Sequence, residues 1–125
     1  MRLLTLTLAL LSLLLSATAC GHDAIPDLSP ESLHFNGFEG LILDVRSAEE
    51  FAEGHVPGAL NVPHSEIASH LAALGSIQKP VLVYCRSGRR AGIALETLTN
   101  LGFEQLYHLD GDMLAWQSES LPVEK

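Results

Sequence analysis

Four short apolar runs, each followed by a stretch of helical character, constrain the fold of this chain more than any other feature. They occupy residues 41–45, 59–62, 80–84 and 106–109. The run Pro80-Val81-Leu82-Val83-Tyr84 is continuous, β-branched and too short for a helix, so it reads as the most deeply buried strand. Ser47 is placed to cap a helix through Glu53, with Ala48, Glu49 and Glu50 in its first turn. Ser65 opens a second helix to about Leu74, with Ile67, Leu71 and Leu74 at helical spacing and Gly75 at its end. A third over 91–100 is expected to bury Ile93, Leu95, Leu98 and Leu101 ahead of Gly102, and a short fourth lies around 113–117. Upstream, Ser29 and Pro30 supply the cap and first position of a helix over 30–35, closed by Asn36-Gly37 and Gly40. Strands alternating with helices at this spacing imply right-handed βαβ units and a parallel sheet. The expected fold is a single α/β domain.

The hydrophobic fraction is 47%, and much of it sits before the domain begins. Arg2 and the free amine precede an apolar run over 3–15, followed by the small residues Ser16-Ala17-Thr18-Ala19 and then Cys20. This is the layout of a bacterial export signal, and the run is shorter than the ~20 residues that span a bilayer. Ala17-Thr18-Ala19 suits a cut by ordinary signal peptidase. The same residues before a cysteine also resemble a lipoprotein signal, in which Cys20 is lipidated and becomes the first residue, although Ala17 stands where that pattern carries Leu. The lipoprotein reading is preferred, because a cysteine directly after the cut has no other evident purpose. It makes residues 1–19 a signal peptide, 20–27 a tether and 28–120 the folded domain. The expected location is the periplasm, with membrane contact only through lipid.

Charge narrows the partners. Lys plus Arg is 7 and Asp plus Glu is 15, a net charge of −8, which repels nucleic acid and anionic membrane surfaces. Two cysteines, Cys20 and Cys85, exclude a disulfide scaffold and a four-ligand metal site. The histidines lack ligand spacing, and no nucleotide or flavin motif is present, so neither a metal nor a cofactor is expected.

Of the six basic residues left after a cut before Cys20, three (Arg86, Arg89 and Arg90) crowd into Cys85-Arg86-Ser87-Gly88-Arg89-Arg90. Open α/β sheets bind ligands at the carboxyl ends of their strands, which is where Cys85 falls. The loop N–H groups, backed by a helix N-terminus, form an anion-binding nest, and such a field favours a nucleophilic thiolate. Gly88 lets the backbone curl without a Cβ. A redox dithiol is excluded because there is no C-x-x-C. A phosphatase loop resembles C-x(5)-R, but only four residues separate Cys85 from Arg90 and Ala91 follows. The loop is one residue too tight for phosphate or arsenate.

These residues together resemble the rhodanese domain, and most closely the small single-domain exported rhodaneses. The resemblance covers about residues 28–117. It is carried by Leu43-Asp44-Val45-Arg46, Glu50-Phe51, Gly54-His55-Val56-Pro57-Gly58-Ala59, Tyr84 through Arg90, and Asp110-Gly111 followed by Trp116. It implies a five-stranded parallel sheet flanked by helices on both faces, and a six-residue loop that accepts sulfane sulfur. The implied activity is a thiosulfate sulfurtransferase with Cys85 as the catalytic residue. Arg86, Ser87, Gly88, Arg89 and Arg90 would then surround a small anionic donor, and cyanide or a thiol would accept the sulfur from a Cys85 persulfide. A sulfur-relay or partner-binding module without efficient free turnover is the alternative, and a monomer is expected. A structural ion pair is the alternative role for Arg90. Asp44 and Arg46 read as scaffold, His55 as a loop-packing histidine and Trp116 as a core anchor. One departure stands out: the family carries Gly-Gly before the last helix, and here the second position is Asp112. Aspartate tolerates a left-handed backbone better than most residues, so the turn is expected to survive.

Overall fold

The computed structural model describes residues 24–125. The export signal and the Cys20 lipidation site lie outside the described residues.

Five strands form one parallel sheet: β1 (Asp27–Leu28), β2 (Leu41–Asp44), β3 (Leu60–Asn61), β4 (Val81–Tyr84) and β5 (Leu106–Leu109), in the order β1-β5-β4-β2-β3. The helices are α1 (Pro30–Asn36), α2 (Ala48–Glu53), α3 (Leu71–Leu74), α4 (Arg89–Asn100) and α5 (Asp112–Ser118). Strand β4 is central and all four of its residues are buried, which is why its sequence is apolar without alternation. Its side chains divide between two cores. Val81 and Val83, with Leu43 and Val45, pack on Ala91, Ala94, Leu95 and Leu98 of α4 and on Leu74 of α3. Leu82 and Tyr84 pack on the opposite side with Leu33 of α1 and with Met113 and Trp116 of α5. Helices therefore cover both faces, as the resemblance implied. Trp116 is buried, and its Nε1–H donates to the Pro122 carbonyl at 2.8 Å, so the last helix is anchored and its indole satisfied.

The structure departs from the sequence reading in four places. Residues 27 and 28 were expected to lie in or beside the tether; instead they form edge strand β1. His108 N–H donates to the Pro26 carbonyl and Asp110 N–H to the Leu28 carbonyl. The helix expected over 65–74 is split into a 3-10 turn, Ile67–Ser69, and the single turn α3. His70 breaks it: its Nδ1 lies 2.8 Å from the Glu66 carbonyl and its backbone leaves the helical region, so the side chain takes over a backbone acceptor. Leu71, beyond the break, is 45% exposed. In α4 the buried stripe is Ala91, Ala94, Leu95 and Leu98, the i, i+3, i+4, i+7 pattern, and Ile93 falls off it at 40% exposed. Finally, α4 starts at Arg89 rather than Ala91.

Candidate active site

The end of β4 is braced by three other segments before Cys85 is reached. Tyr84 is buried, and its hydroxyl accepts from the Val56 N–H at 3.0 Å. Burial first, and the Asp44 carboxylate second, push its phenol up and keep it neutral. At the end of β2, buried Asp44 accepts from the Arg46 backbone N–H at 2.9 Å. It also receives that guanidinium through Nε at 3.0 Å and Nη2 at 2.7 Å. Arg46 Nη2 donates onward to the Gly54 carbonyl at 2.8 Å. These two residues lock the neighbouring loops, the scaffold role read from the sequence. His55 stacks on Phe51 with ring centroids 3.6 Å apart, and its Nδ1 lies 2.9 Å from the Phe51 carbonyl. It is a packing residue, as expected.

Cys85 is 1% exposed and follows β4 directly. Its Sγ accepts a hydrogen bond from the Gly88 N–H at 3.0 Å. Gly88 has φ +116°, a conformation open to glycine and strained for other residues, and this brings its N–H back onto the sulfur. The loop is oriented from behind by α5. Met113 N–H donates to the Cys85 carbonyl at 3.0 Å and Leu114 N–H to the Arg86 carbonyl at 3.1 Å. A planar trans peptide points its N–H opposite to its carbonyl. The Arg86 and Ser87 N–H groups therefore face away from α5, and among the described residues neither has a protein acceptor. The Arg89 and Arg90 N–H groups, in the first turn of α4, are likewise free of a protein acceptor there. Of the loop donors, the Gly88 N–H is the one bonded to the sulfur, and the other four are left without a protein acceptor among the described residues.

The arginines separate. Arg86 and Arg89 are exposed, as is Ser87. Arg90 is partly buried and forks onto Glu50, with Nη1–Oε1 at 2.6 Å and Nη2–Oε2 at 3.0 Å. Its guanidinium is thus engaged in the ion pair that was the alternative reading for it. Glu50 is also the third residue of a capping box on α2, exchanging hydrogen bonds with Ser47. Arg90 first, then Ser47, holds the Glu50 carboxyl down at about 2.

Three residues that the sequence reading did not assign to the site belong to it. Asp112 has φ +57°, so the left-handed turn survives as expected, but its side chain is no bystander. It is 1% exposed, and Oδ1 accepts from the Cys85 N–H at 2.9 Å. Both its oxygens lie 3.0 Å from His108 Nε2, and His108 Nδ1 lies 2.9 Å from Asp27 Oδ1. The hydrogen bond His108 donates to Asp112 first, and the one to Asp27 after it, raise His108 to about 9 against the opposing effect of burial. A cavity of about 250 Å³ lies against this group, lined by Ile25, Asp27, Gly88, Gly92, Leu95 and His108. The usable signal was the i, i+4 spacing of His108 and Asp112 at the end of the strand beside β4.

A family model described as "Rhodanese-like domain" matches residues 30–119. The chain belongs to the rhodanese-like domain family. Among relatives, the uncharacterized protein slr1261 of Synechocystis is 36% identical over 86 residues, 68% of this chain and 47% of that protein. A protein named "Sulfurtransferase" from Allochromatium vinosum is 32% identical over 83 residues, 66% of this chain and 77% of its own length. The chain spans less than half the length of two of its curated relatives, 47% of slr1261 and 38% of a transcriptional regulator of Mycobacterium tuberculosis. Among solved structures, the rhodanese-related protein of Thermoplasma volcanium superposes with a TM-score of 0.69 at 28% identity, covering 79% of this chain and 97% of the other. The Alr3790 protein of Anabaena gives a TM-score of 0.70 at 25% identity, covering 78% and 81%.

Proposed function

We propose that this rhodanese-like domain is a sulfurtransferase that carries sulfane sulfur on Cys85. The observation that carries the reading is the hydrogen bond from Gly88 N–H to Cys85 Sγ, set among loop N–H groups that have no protein acceptor among the described residues. Those donors suit a thiolate and the negative charge that develops on an attacked donor. In the first step the Cys85 thiolate attacks the outer sulfur of thiosulfate. A sulfur–sulfur bond forms at Cys85, the sulfur–sulfur bond of thiosulfate breaks, and sulfite leaves with its electron pair. In the second step cyanide or a thiolate attacks the outer sulfur of the persulfide, and Cys85 departs as thiolate. The six-residue loop and the sulfurtransferase-named relative both favour sulfur over phosphate as the substrate atom.

The burial of Cys85 favours slender donors and acceptors, and it keeps a second reading in view: a relay that gives up sulfur only to a docked protein thiol. Thiocyanate production from thiosulfate and cyanide separates the two. Turnover absent from a Cys85→Ser control supports the free enzyme, whereas stoichiometric persulfide without turnover supports the relay. We further propose that the domain acts in the periplasm, monomeric and tethered through a lipidated Cys20, on the strength of the sequence at 1–20. Mass measurement of the membrane-extracted protein tests the lipid.

A further inference from the structure

Asp112 poses a physical problem. A carboxylate 1% exposed, hydrogen-bonded to the backbone of the cysteine, sits behind a loop proposed to receive an anion. Its Oδ2 also faces Gly88 closely enough that a Cβ there would stand 3.2 Å away. Oδ1 bonds the Cys85 nitrogen, which is three covalent bonds from Sγ, so the carboxylate lies within about 7 Å of the sulfur. Left uncompensated, it would repel thiosulfate and stabilise nothing the reaction needs. Among the described residues, His108 is the only titratable side chain bonded to it. Among the described residues, the charged groups facing His108 are Asp27 from β1 and Asp112 from α5. The rest of the cavity beside it comes from Ile25, Gly88, Gly92 and Leu95, none of which titrates. Asp27 holds one ring nitrogen, which turns the other to Asp112.

We infer that Asp112 and cationic His108 form a positioning and charge-setting pair for the Cys85 loop: Asp112 fixes the Cys85 peptide, and His108 cancels the carboxylate so that anionic donors can approach the sulfur. This deepens the sulfurtransferase reading and rests on it for the identity of the donor. His108 stays cationic at neutral pH and loses its proton near pH 9, leaving the Asp112 charge bare behind the loop.

The test compares alkylation of Cys85 by iodoacetate, an anion, with alkylation by neutral iodoacetamide. The ratio of the two rates cancels the thiolate fraction and reports the local potential, which a merely structural role for the pair would not move. It is measured on the full chain with Cys20→Ser, so that Cys85 is the one thiol, from pH 6 to 10. The expected result is a fall in the iodoacetate-to-iodoacetamide ratio of about tenfold as pH crosses 9. In His108→Gln the ratio is already low at pH 7. In Asp112→Asn, which keeps an oxygen for the Cys85 N–H, the fall at pH 9 disappears, because His108 loses its proton at lower pH and no buried carboxylate is left bare. Asp27→Asn, at an exposed position, moves the midpoint down. A ratio independent of pH in the Cys20→Ser chain, or equal in His108→Gln at pH 7, overturns the inference, and the former holds even if no variant folds. Because alkylation needs no sulfur transfer, the expected ratios in a protein inert to thiosulfate uphold the pair and remove the sulfurtransferase reading alone.

Discussion

Two ion pairs flank the Cys85 loop, and they differ in burial and in how they meet it. On one side Arg90, in the first turn of α4 just after the loop, reaches out to Glu50 of α2. On the other, Asp112 of α5 reaches into the loop backbone and is balanced by His108 of β5. The first pair is partly solvated and shares its carboxylate with a helix cap, so its loss is softened by water. The second is buried at the carboxylate and has no such relief. A basic loop can therefore be held in place by a surface pair, whereas its charge is set by a buried one.

The largest effect is expected from breaking the buried pair outright. Asp112→Ala removes the acceptor of the Cys85 N–H and leaves His108 without its main counter-charge, at a cost of about 3 kcal/mol in chemical denaturation. Glu50→Ala removes a capping-box partner and frees Arg90, and is expected to cost about 1 kcal/mol in the same assay. If the two losses come out equal, the contrast between the pairs fails.

Acidity sharpens the contrast, because the pairs respond in opposite directions. His108 is raised from 6.5 to about 9 in the folded protein, so its stabilisation is full below pH 6.5 and is lost as pH rises through 9. Thermal melts should show a midpoint lower by on the order of 5 °C at pH 10 than at pH 6.5, and Asp112→Asn should lose most of that dependence. Glu50 is lowered from 4.5 to about 2, so its contribution is present above pH 4.5 and fades as pH falls toward 2. Glu50→Gln should flatten part of the acid limb only. The smallest effects belong to the exposed arginines. Arg86→Ala or Arg89→Ala is expected to raise KM for thiosulfate a few-fold at low salt, with kcat little changed, and the difference should vanish at high ionic strength.

Most of the sheet was legible because β4 is buried on both faces and announces itself as an unbroken apolar run. The loop was legible because half the basic residues of the expected mature chain surround one cysteine. Strand β1 was not, since a two-residue edge strand after Pro26 has no periodicity to read. The split of the 65–74 helix turned on one histidine side chain capturing a carbonyl, which helical spacing cannot foretell. The left-handed turn at Asp112 is legible in the sequence, whereas the work of its carboxylate depends on tertiary contacts with Cys85 and His108. Half of the His108 pairing is legible as its i, i+4 spacing to Asp112, whereas Asp27 lies 81 residues away and meets it only through the register of β1 on β5.

The central claim is that Cys85 carries the sulfur. Incubating the protein with thiosulfate and weighing it by intact-mass spectrometry tests that directly. The account predicts a gain of one sulfur atom, absent in Cys85→Ser and removed by cyanide as thiocyanate. A correctly folded protein whose mass does not change on incubation with thiosulfate would contradict it.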